Sequence, residues 1–234
     1  MDRLDDNLDK DALIDRIVSL EWDLFQAVNE GGPRASCQED RITFEGMRSG
    51  QFEAWSTEAC RSYTDDLLNS ILDGRNIVTE KYIHMMKSSS PAQYAELVKY
   101  ITMPSAETET LAGEISDLLL KQTQTLFKSY PYVSGSGRPL RSVSDFSGVI
   151  SIETYQLGEL LTYSENTLLL LKKHLIALEK AGKPLARLIL ENSVKHYGYK
   201  TLEEAEAATK ARLDRQGVKT STCSDGGEGS VPQL

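Results

Sequence analysis

The sequence predicts an all-α fold, a single-domain helical bundle with one long Gly/Ser-rich loop. Apolar residues recur with the 3.6-residue helical period in almost every long segment, beginning with residues 11–30. Glycine and proline stand between these segments, where helices end or begin, as at Gly31, Gly32, Pro33 and Pro131. The length of 234 residues suits one domain with tails.

Each predicted helix is a periodic segment bounded by such breakers. In chain order they cover residues 11–30, 39–48, 57–73, 76–88, 91–101, 106–130, 152–180, 184–198 and 201–216. The Gly/Ser-rich stretch 130–151 is predicted to be a loop, and a loop of this length inside a compact domain is usually either functional or disordered. We expect residues 1–10 to be a flexible acidic N-terminus, 11–216 the all-α domain and 217–234 a disordered tail.

Composition and charge argue against several kinds of partner. The formal net charge of −9 argues against nucleic acid, because phosphate binding needs a basic surface. No apolar run approaches the roughly 20 residues that cross a bilayer, and residues 1–11 are acidic where a targeting peptide would be basic. We therefore expect no nucleic acid and no membrane. Three cysteines without a CxxC spacing indicate free thiols, hence a cytoplasmic location.

The signatures of common cofactor sites are missing as well. The three histidines form neither HExxH nor HxxxH, and P-loop, GxGxxG and GxSxG patterns do not occur. The sequence therefore predicts no cofactor and no metal.

A carboxylate at Glu21 stands on the apolar face of the first helix. On a helical wheel it falls near the middle of an arc formed by Leu13, Ile14, Ile17, Val18, Leu20, Leu24, Phe25, Ala27 and Val28. A buried carboxylate is costly unless it is paired, hydrogen-bonded or protonated. Glu21 is therefore either a structural salt bridge or an acid/base group.

The predicted helix from residue 152 repeats this pattern. Glu153 projects onto the same side as a leucine stripe, one turn into the helix, although a glutamate there also suits the positive helix end. Tyr155, Glu159 and Tyr163 follow at i, i+4 and i+8 on an adjoining face. We predict catalytic roles for Glu21, Glu153, Glu159 and Tyr163, and a substrate-orienting role for Tyr155.

Arginines follow both glycine-rich breaks. Arg34 comes after Gly31 and Gly32, and the 130–151 loop carries Arg138 and Arg141. Guanidinium groups bind carboxylates and phosphates bidentately, so these side chains are candidates for anion capture, or else they pair with surplus acids. Cys37 is more consistent with packing than with a nucleophile, because no histidine is near it in sequence.

Several blocks together resemble the family catalogued as domain of unknown function 4125. The similar blocks are GGPRASCQED, F-x-x-M-R, Q-F-x-x-W, GRNIVTEKYIHMM, GSGRPLRS, ETYQLGELLTYSENTL and GYKTLEEAE, spanning roughly residues 12 to 206. The resemblance implies no settled activity. Some bacterial members look fused to a nucleotidyltransferase-like domain, whereas this chain resembles a stand-alone member. Near Leu157 it departs from the family, which has a basic residue there.

The matching positions extend the candidate site. Besides those named above, the family blocks match Ser36, Gln38, Arg48, Gln51, Trp55, Lys81 and Tyr82. With the arginines and Tyr155 identified above, these positions give a predicted substrate-binding set of Arg34, Ser36, Gln38, Arg48, Gln51, Lys81, Arg138, Arg141 and Tyr155.

Three functions are compatible with these residues. The first is a metal-independent enzyme acting on an anionic or amino-acid-like metabolite by addition–elimination, cyclisation or group transfer, in a biosynthetic pathway. The second is a non-catalytic ligand-binding or interaction module. The third is a carboxylate-bridged metal site using Glu21, Glu153 and Glu159, which lacks the ExxH pairs of di-iron bundles. The oligomeric state is left open.

Overall fold

The computed structural model describes residues 8–28, 36–146 and 148–217. These residues form α-helices, and the only strand-like feature among them is an isolated bridge between Phe146 and Val149. The predicted all-α fold is therefore confirmed. In chain order the helices are α1 (Lys10–Gln26), α2 (Arg41–Glu53), α3 (Thr57–Leu72), α4 (Ile77–Ser89), α5 (Pro91–Leu97), α6 (Ala106–Ser129), α7 (Pro131–Gly135), α8 (Ile152–Leu160), α9 (Glu165–Lys180), α10 (Leu185–His196) and α11 (Leu202–Gln216).

Side-chain caps fix where most of these helices begin. In each case an oxygen of the capping residue accepts a hydrogen bond from the backbone N–H three positions later, which satisfies a donor that has no partner inside the helix. The capping residues are Asp9, Asp40, Ser56, Asn76, Ser105, Ser151, Ser164 and Thr201.

The predicted helix over 152–180 is in fact two helices. α8 ends at Leu160, and α9 begins at Glu165 after a turn. Ser164 causes the restart: its hydroxyl caps the N–H of Thr167, and its own N–H donates to Asp66 of α3 at 3.0 Å. The leucine stripe of α9 therefore does not continue in phase into α8.

Two other predicted elements also differ in detail. α1 ends at Gln26 rather than residue 30, and the amide of Gln38 donates to the carbonyls of Phe25 and Val28 near that end. The segment 130–151 contains α7 and a 3₁₀ turn at Ser142–Ser144, so one long irregular loop is not confirmed. The breaker at 31–33 and the tail at 218–234 lie outside the described residues.

The main core lies among α1, α2, α3, α6, α8, α9 and the start of α10. Fully buried side chains from these helices include Leu13, Ile17, Phe52, Leu67, Ile115, Leu168, Leu171, Leu175 and Leu185. Each such side chain stabilises the fold by about 1.5–3 kcal/mol relative to exposure. A smaller cluster of Val194, Leu202 and Ala205 holds α11 against α10. The polar groups described next are enclosed where α1, α2, α4 and α8 meet.

Candidate functional site

Four charged side chains from four helices meet in the interior. Glu21 comes from α1, Arg48 from α2, Lys81 from α4 and Glu159 from α8, and each is less than a tenth exposed. We call this set the buried tetrad. Its formal charges sum to zero, which matters because an unpaired charge in a protein interior costs several kcal/mol. Glu21 thus faces the core, as the helical wheel predicts.

Arg48 is the centre of the tetrad. Its Nε and Nη2 donate to the two oxygens of Glu21 at 2.6 and 2.5 Å, a bidentate pair. Nη2 and Nη1 also donate to Glu159 at 3.0 and 3.3 Å, and Nη1 donates to Gln51 at 2.9 Å. A guanidinium has five N–H donors, and all five are used. Arg48 and Gln51, predicted to bind substrate, are therefore internal partners with no guanidinium donor left for a ligand.

Glu159 accepts hydrogen bonds from four different side chains. Besides Arg48 they are Gln51 at 3.0 Å, Lys81 at 3.1 Å and the Tyr163 hydroxyl at 2.6 Å. Burial alone would raise the pKa of Glu159, but the charges of Arg48 and Lys81 outweigh it and the pKa lies well below its usual range. Glu159 is therefore held as a carboxylate, which suits a role in orienting other groups rather than in proton transfer.

Two buried tyrosines complete the inner shell of the network. Tyr63 of α3 donates to Glu21 at 2.7 Å, as Tyr163 does to Glu159. Burial, together with the adjacent carboxylates, raises the pKa of both phenols, so they remain protonated donors. Sequence reasoning missed Tyr63, because a tyrosine in step with Ala59, Cys60 and Leu67 on one helix face is also typical of ordinary core packing.

Lys81 connects the tetrad to a more exposed group of side chains. Its ammonium donates to Glu159 on one side and to the phenolic oxygen of Tyr155 at 2.7 Å on the other. Burial would lower the pKa of Lys81, but the charge of Glu159 outweighs it and the pKa is raised. Lys81 therefore stays an ammonium and does not act as an amine nucleophile.

The side chains around that ammonium alternate between aromatic rings and cations. The Lys81 nitrogen lies 4.0 Å from the Tyr155 ring centroid and 5.6 Å from that of Tyr82. The Arg138 guanidinium lies over the same Tyr155 ring at 4.9 Å. Tyr82 and Tyr155 are half-buried, whereas Arg138 is exposed. We call Lys81, Tyr82, Arg138 and Tyr155 the outer cluster; it is where the network reaches the surface.

A glycine lets α8 approach α4 closely enough for these contacts. A Cβ at Gly158 would lie 2.8 Å from Cγ of Met85 and 3.1 Å from the carbonyl oxygen of Lys81. The first distance is shorter than real side chains allow, and the second is tighter than most real Cβ contacts. Gly158 therefore sets the spacing that brings Tyr155 and Glu159, on either side of it in α8, within hydrogen-bond distance of Lys81.

Glu153 lies apart from this network, which corrects its predicted place on the buried stripe. It is partly exposed, accepts from the backbone N–H of Ser142 at 2.7 Å and pairs with Arg141 at 3.4 Å. Burial would raise the pKa of Glu153, but the Ser142 hydrogen bond and the Arg141 charge lower it overall. Glu153 and Arg141 thus hold the 139–142 segment to the start of α8 and do not join Glu21.

The remaining predicted residues lie around the end of α1. Ser36 and Cys37 are exposed in a 3₁₀ turn, Ser36–Gln38. Gln38 is buried, and its amide binds the last turn of α1, as described above. Arg34 lies outside the described residues.

Other features of the described residues do not offer a better site. The surface of these residues has two depressions. The first, of about 280 Å³, is lined by Glu191, Lys195, Lys200, Thr201, Leu202 and Glu203. The second, of about 320 Å³, is lined by Thr57, Glu58, Arg61, Ser62, Asp65, Asn166 and Leu170. Neither touches the tetrad. We favour the network, since buried charges that converge from several helices are rarer than shallow surface hollows. The carboxylates Glu21, Glu153 and Glu159 do not gather as the metal hypothesis requires, and no cluster of three metal-ligating side chains occurs in the described ranges.

Comparison with known families confirms the resemblance that the sequence motifs indicate. The family model "Protein of unknown function (DUF4125)" matches residues 11–207, most of the chain. The chain belongs to the DUF4125 family. The matched range contains every residue of the tetrad and of the outer cluster. Searches of curated proteins and of solved structures found no match. Within the residues that the structure describes, no helix has the length and apolar character needed to cross a membrane.

Proposed function

We propose that this DUF4125 protein is an enzyme that acts on a small anionic metabolite at the outer cluster. The observation that carries the proposal is the phenol of Tyr155. Its oxygen accepts from the buried Lys81 ammonium, its ring lies under the Arg138 guanidinium, and its own hydrogen has no acceptor among the described residues. A phenol with a free O–H between two cations suits proton transfer beside a bound anion.

The hydrogen-bonding groups of the outer cluster support an anionic ligand. Lys81 has three N–H donors and uses two of them, and Arg138 uses one, toward the carbonyl of Ile150 at 3.2 Å. The Tyr82 hydroxyl likewise has no acceptor in the described part of the chain. The carboxylates behind them are occupied by Arg48, Tyr63 and Tyr163. The cluster therefore offers donors, and carboxylates and phosphates are acceptors.

The buried tetrad has a supporting role in this proposal. A lone ammonium at the depth of Lys81 would lose its proton or destabilise the fold. Glu159 keeps Lys81 charged, and Arg48 together with Glu21 fixes Glu159 in turn. If Tyr155 gives up its proton, the phenolate formed lies 2.7 Å from an ammonium that cannot move away. In this proposal the Tyr155 phenol, expected from the sequence to orient the substrate, transfers protons instead, and Glu159 keeps an orienting role by positioning Lys81.

Among the reaction types considered, addition–elimination is the best supported. An elimination moves one proton from carbon to a base while the leaving group departs with its bonding electrons, and a proton given to that group helps it leave. Tyr155, once its own proton has passed to solvent, is the phenolate that takes the proton from carbon; it then gives that proton to the departing group, while Arg138 binds the anion. Cyclisation and group transfer need the same parts plus a second substrate group. We place this reaction in the cytoplasm, in line with the free thiols of Cys37 and Cys60.

The test is conversion of metabolites by matched tyrosine variants. Purified protein is incubated with a metabolite extract, and mass spectrometry measures which compounds are consumed and formed. We expect wild type to convert at least one anionic compound and Tyr155→Phe to lose that conversion. Tyr100→Phe is the control, since Tyr100 is 75% exposed and lies outside the outer cluster. Conversion by Tyr155→Phe at the wild-type rate would contradict the proposal.

A non-catalytic ligand-binding module is the second candidate. It is favoured by the fact that the guanidinium of Arg48 and the carboxylates of Glu21 and Glu159 find their partners inside the protein, as in a purely structural network. On this alternative the protein retains an anionic metabolite during ultrafiltration but leaves it chemically unchanged, and Tyr155→Phe weakens retention only. The same extract distinguishes the two functions.

A further inference from the structure

The charges around the outer cluster restrict the ligand further, given the proposed function. We infer that the ligand is a monocarboxylate carried on a planar, apolar body, rather than a phosphate ester. The inference rests on which charges near the cluster are balanced and which are not.

Nearly every charge next to the cluster has a partner. The tetrad holds two carboxylates, one guanidinium and one ammonium, so its formal charges cancel. Arg141 is balanced by Glu153. Asp145 is bound by the hydroxyls of Ser88 and Thr154 and by the Ser151 N–H at the start of α8, where an anion also suits the helix dipole.

Arg138 is the exception. No acidic side chain of the described residues lies within ion-pair distance of its guanidinium, which is held instead by the Ile150 carbonyl and the Tyr155 ring. Arg138 therefore supplies the cluster with one positive charge that no acidic side chain of the described residues contacts. A carboxylate carries one negative charge, which matches the single charge of Arg138. A phosphate monoester near neutral pH carries about 1.5 to 2 negative charges and would leave negative charge unpaired.

The shape of the cluster points to the rest of the ligand. The half-buried rings of Tyr82 and Tyr155 flank Lys81, and Tyr82 is itself backed by Phe25, with ring centroids 6.5 Å apart. Half-buried aromatic rings beside a cation suit a flat apolar group attached to an acid, because the group covers the ring surface that is still open to solvent while the acid meets the cations. Benzoate has both parts in minimal form.

The experiment compares three probes by calorimetric titration: benzoate, neutral benzamide and inorganic phosphate. We expect benzoate to bind at least about tenfold more tightly than either of the others, as expected when a charge-assisted hydrogen bond is gained. Equal binding of benzamide would overturn the inference, because the charge would then not be recognised. Tighter binding of phosphate would overturn the charge count.

Two arginine variants locate the site. Arg138→Gln should weaken benzoate binding about tenfold or more, while Arg187→Gln, a control on α10 outside the cluster, should change it less than about twofold because Glu191 already balances its charge. Both side chains are exposed, so both variants should fold. Equal losses in the two variants would contradict the assignment to Arg138.

Failure of this inference is distinguishable from failure of the proposed function. If phosphate is preferred while Tyr155→Phe still abolishes metabolite conversion, the ligand class is wrong and the function stands. If no probe binds and Tyr155→Phe converts metabolites normally, both are wrong.

Discussion

Replacing Arg48 by methionine tests whether the buried tetrad is an interdependent set of charges. The substitution keeps the length and apolar stem of the side chain but removes five hydrogen bonds, four of them to the carboxylates of Glu21 and Glu159. Within the described ranges, Lys81 is then the only cation left in contact with either carboxylate. Two negative charges facing one positive charge in the interior are strongly unfavourable.

The expected magnitude follows from that burial. Breaking a buried ion pair by removing one partner costs about 3–5 kcal/mol, and Arg48 is the partner of two carboxylates. The free energy of unfolding of a domain is typically about 5–15 kcal/mol, so Arg48→Met should remove a large part of it. The double variant Glu21→Gln, Arg48→Met leaves Glu159 balanced by Lys81. We therefore expect it to be more stable than Arg48→Met alone, by at least about 1 kcal/mol.

Urea unfolding followed by circular dichroism at 222 nm measures both differences. Arg187→Met is the control: its side chain is 48% exposed and pairs with Glu191 one turn away, a contact usually worth about 0.3–0.5 kcal/mol. The reasoning is refuted if Arg48→Met unfolds within about 1 kcal/mol of wild type. It is also refuted if the costs of Glu21→Gln and Arg48→Met simply add in the double variant.

Three further predictions concern acid stability, helix packing and the α8–α9 break. The pKa of Glu159 is lowered in the folded state, so this carboxylate stabilises the fold above its unfolded pKa of about 4.3, and that stabilisation is lost as pH falls toward the folded value. Glu159→Gln should therefore reduce the dependence of the free energy of unfolding on pH at acid pH. An unchanged dependence would contradict this. Gly158→Ala should lower the free energy of unfolding in urea by about 1–3 kcal/mol, because the added Cβ meets Met85 and Lys81. Gly113→Ala in α6, where nothing lies within 4 Å of the added Cβ, should raise that free energy by up to about 1 kcal/mol. A more stable protein in both cases would mean that α8 is not closely packed against α4. Ser164→Ala should cost about 1 kcal/mol by removing the α9 cap, measured by thermal unfolding, and no change would mean that the cap is not what restarts the helix.

The fold class was predictable because helical periodicity and breakers are local properties of the sequence. The inward position of Glu21 was predictable for the same reason: α1 is one uninterrupted helix through residue 26, so a wheel drawn over it keeps its phase. The wheel failed at Glu153 because it was drawn through a helix that ends at Leu160 and restarts at Glu165. Ser164, four residues before the leucine run that starts at Leu168, was the available signal for that break.

The pairing within the site could not be read from the sequence. Which basic side chain pairs with Glu21 depends on how α2 and α4 pack against α1 and α8. The contacts between these helices join residues up to 111 positions apart along the chain. The resemblance to DUF4125 brought Arg48, Gln51 and Lys81 into the candidate set but carried no geometry. Their division into an internal network and an exposed cluster required the packed structure.

The most direct test of the account is a crystal structure of the protein soaked with saturating benzoate. The account predicts benzoate on the outer cluster, with its carboxylate within hydrogen-bond distance of both the Tyr155 hydroxyl and the Arg138 guanidinium, and with Lys81 still bridging Tyr155 and Glu159. Benzoate bound elsewhere, or a cluster left empty at saturation, would contradict it.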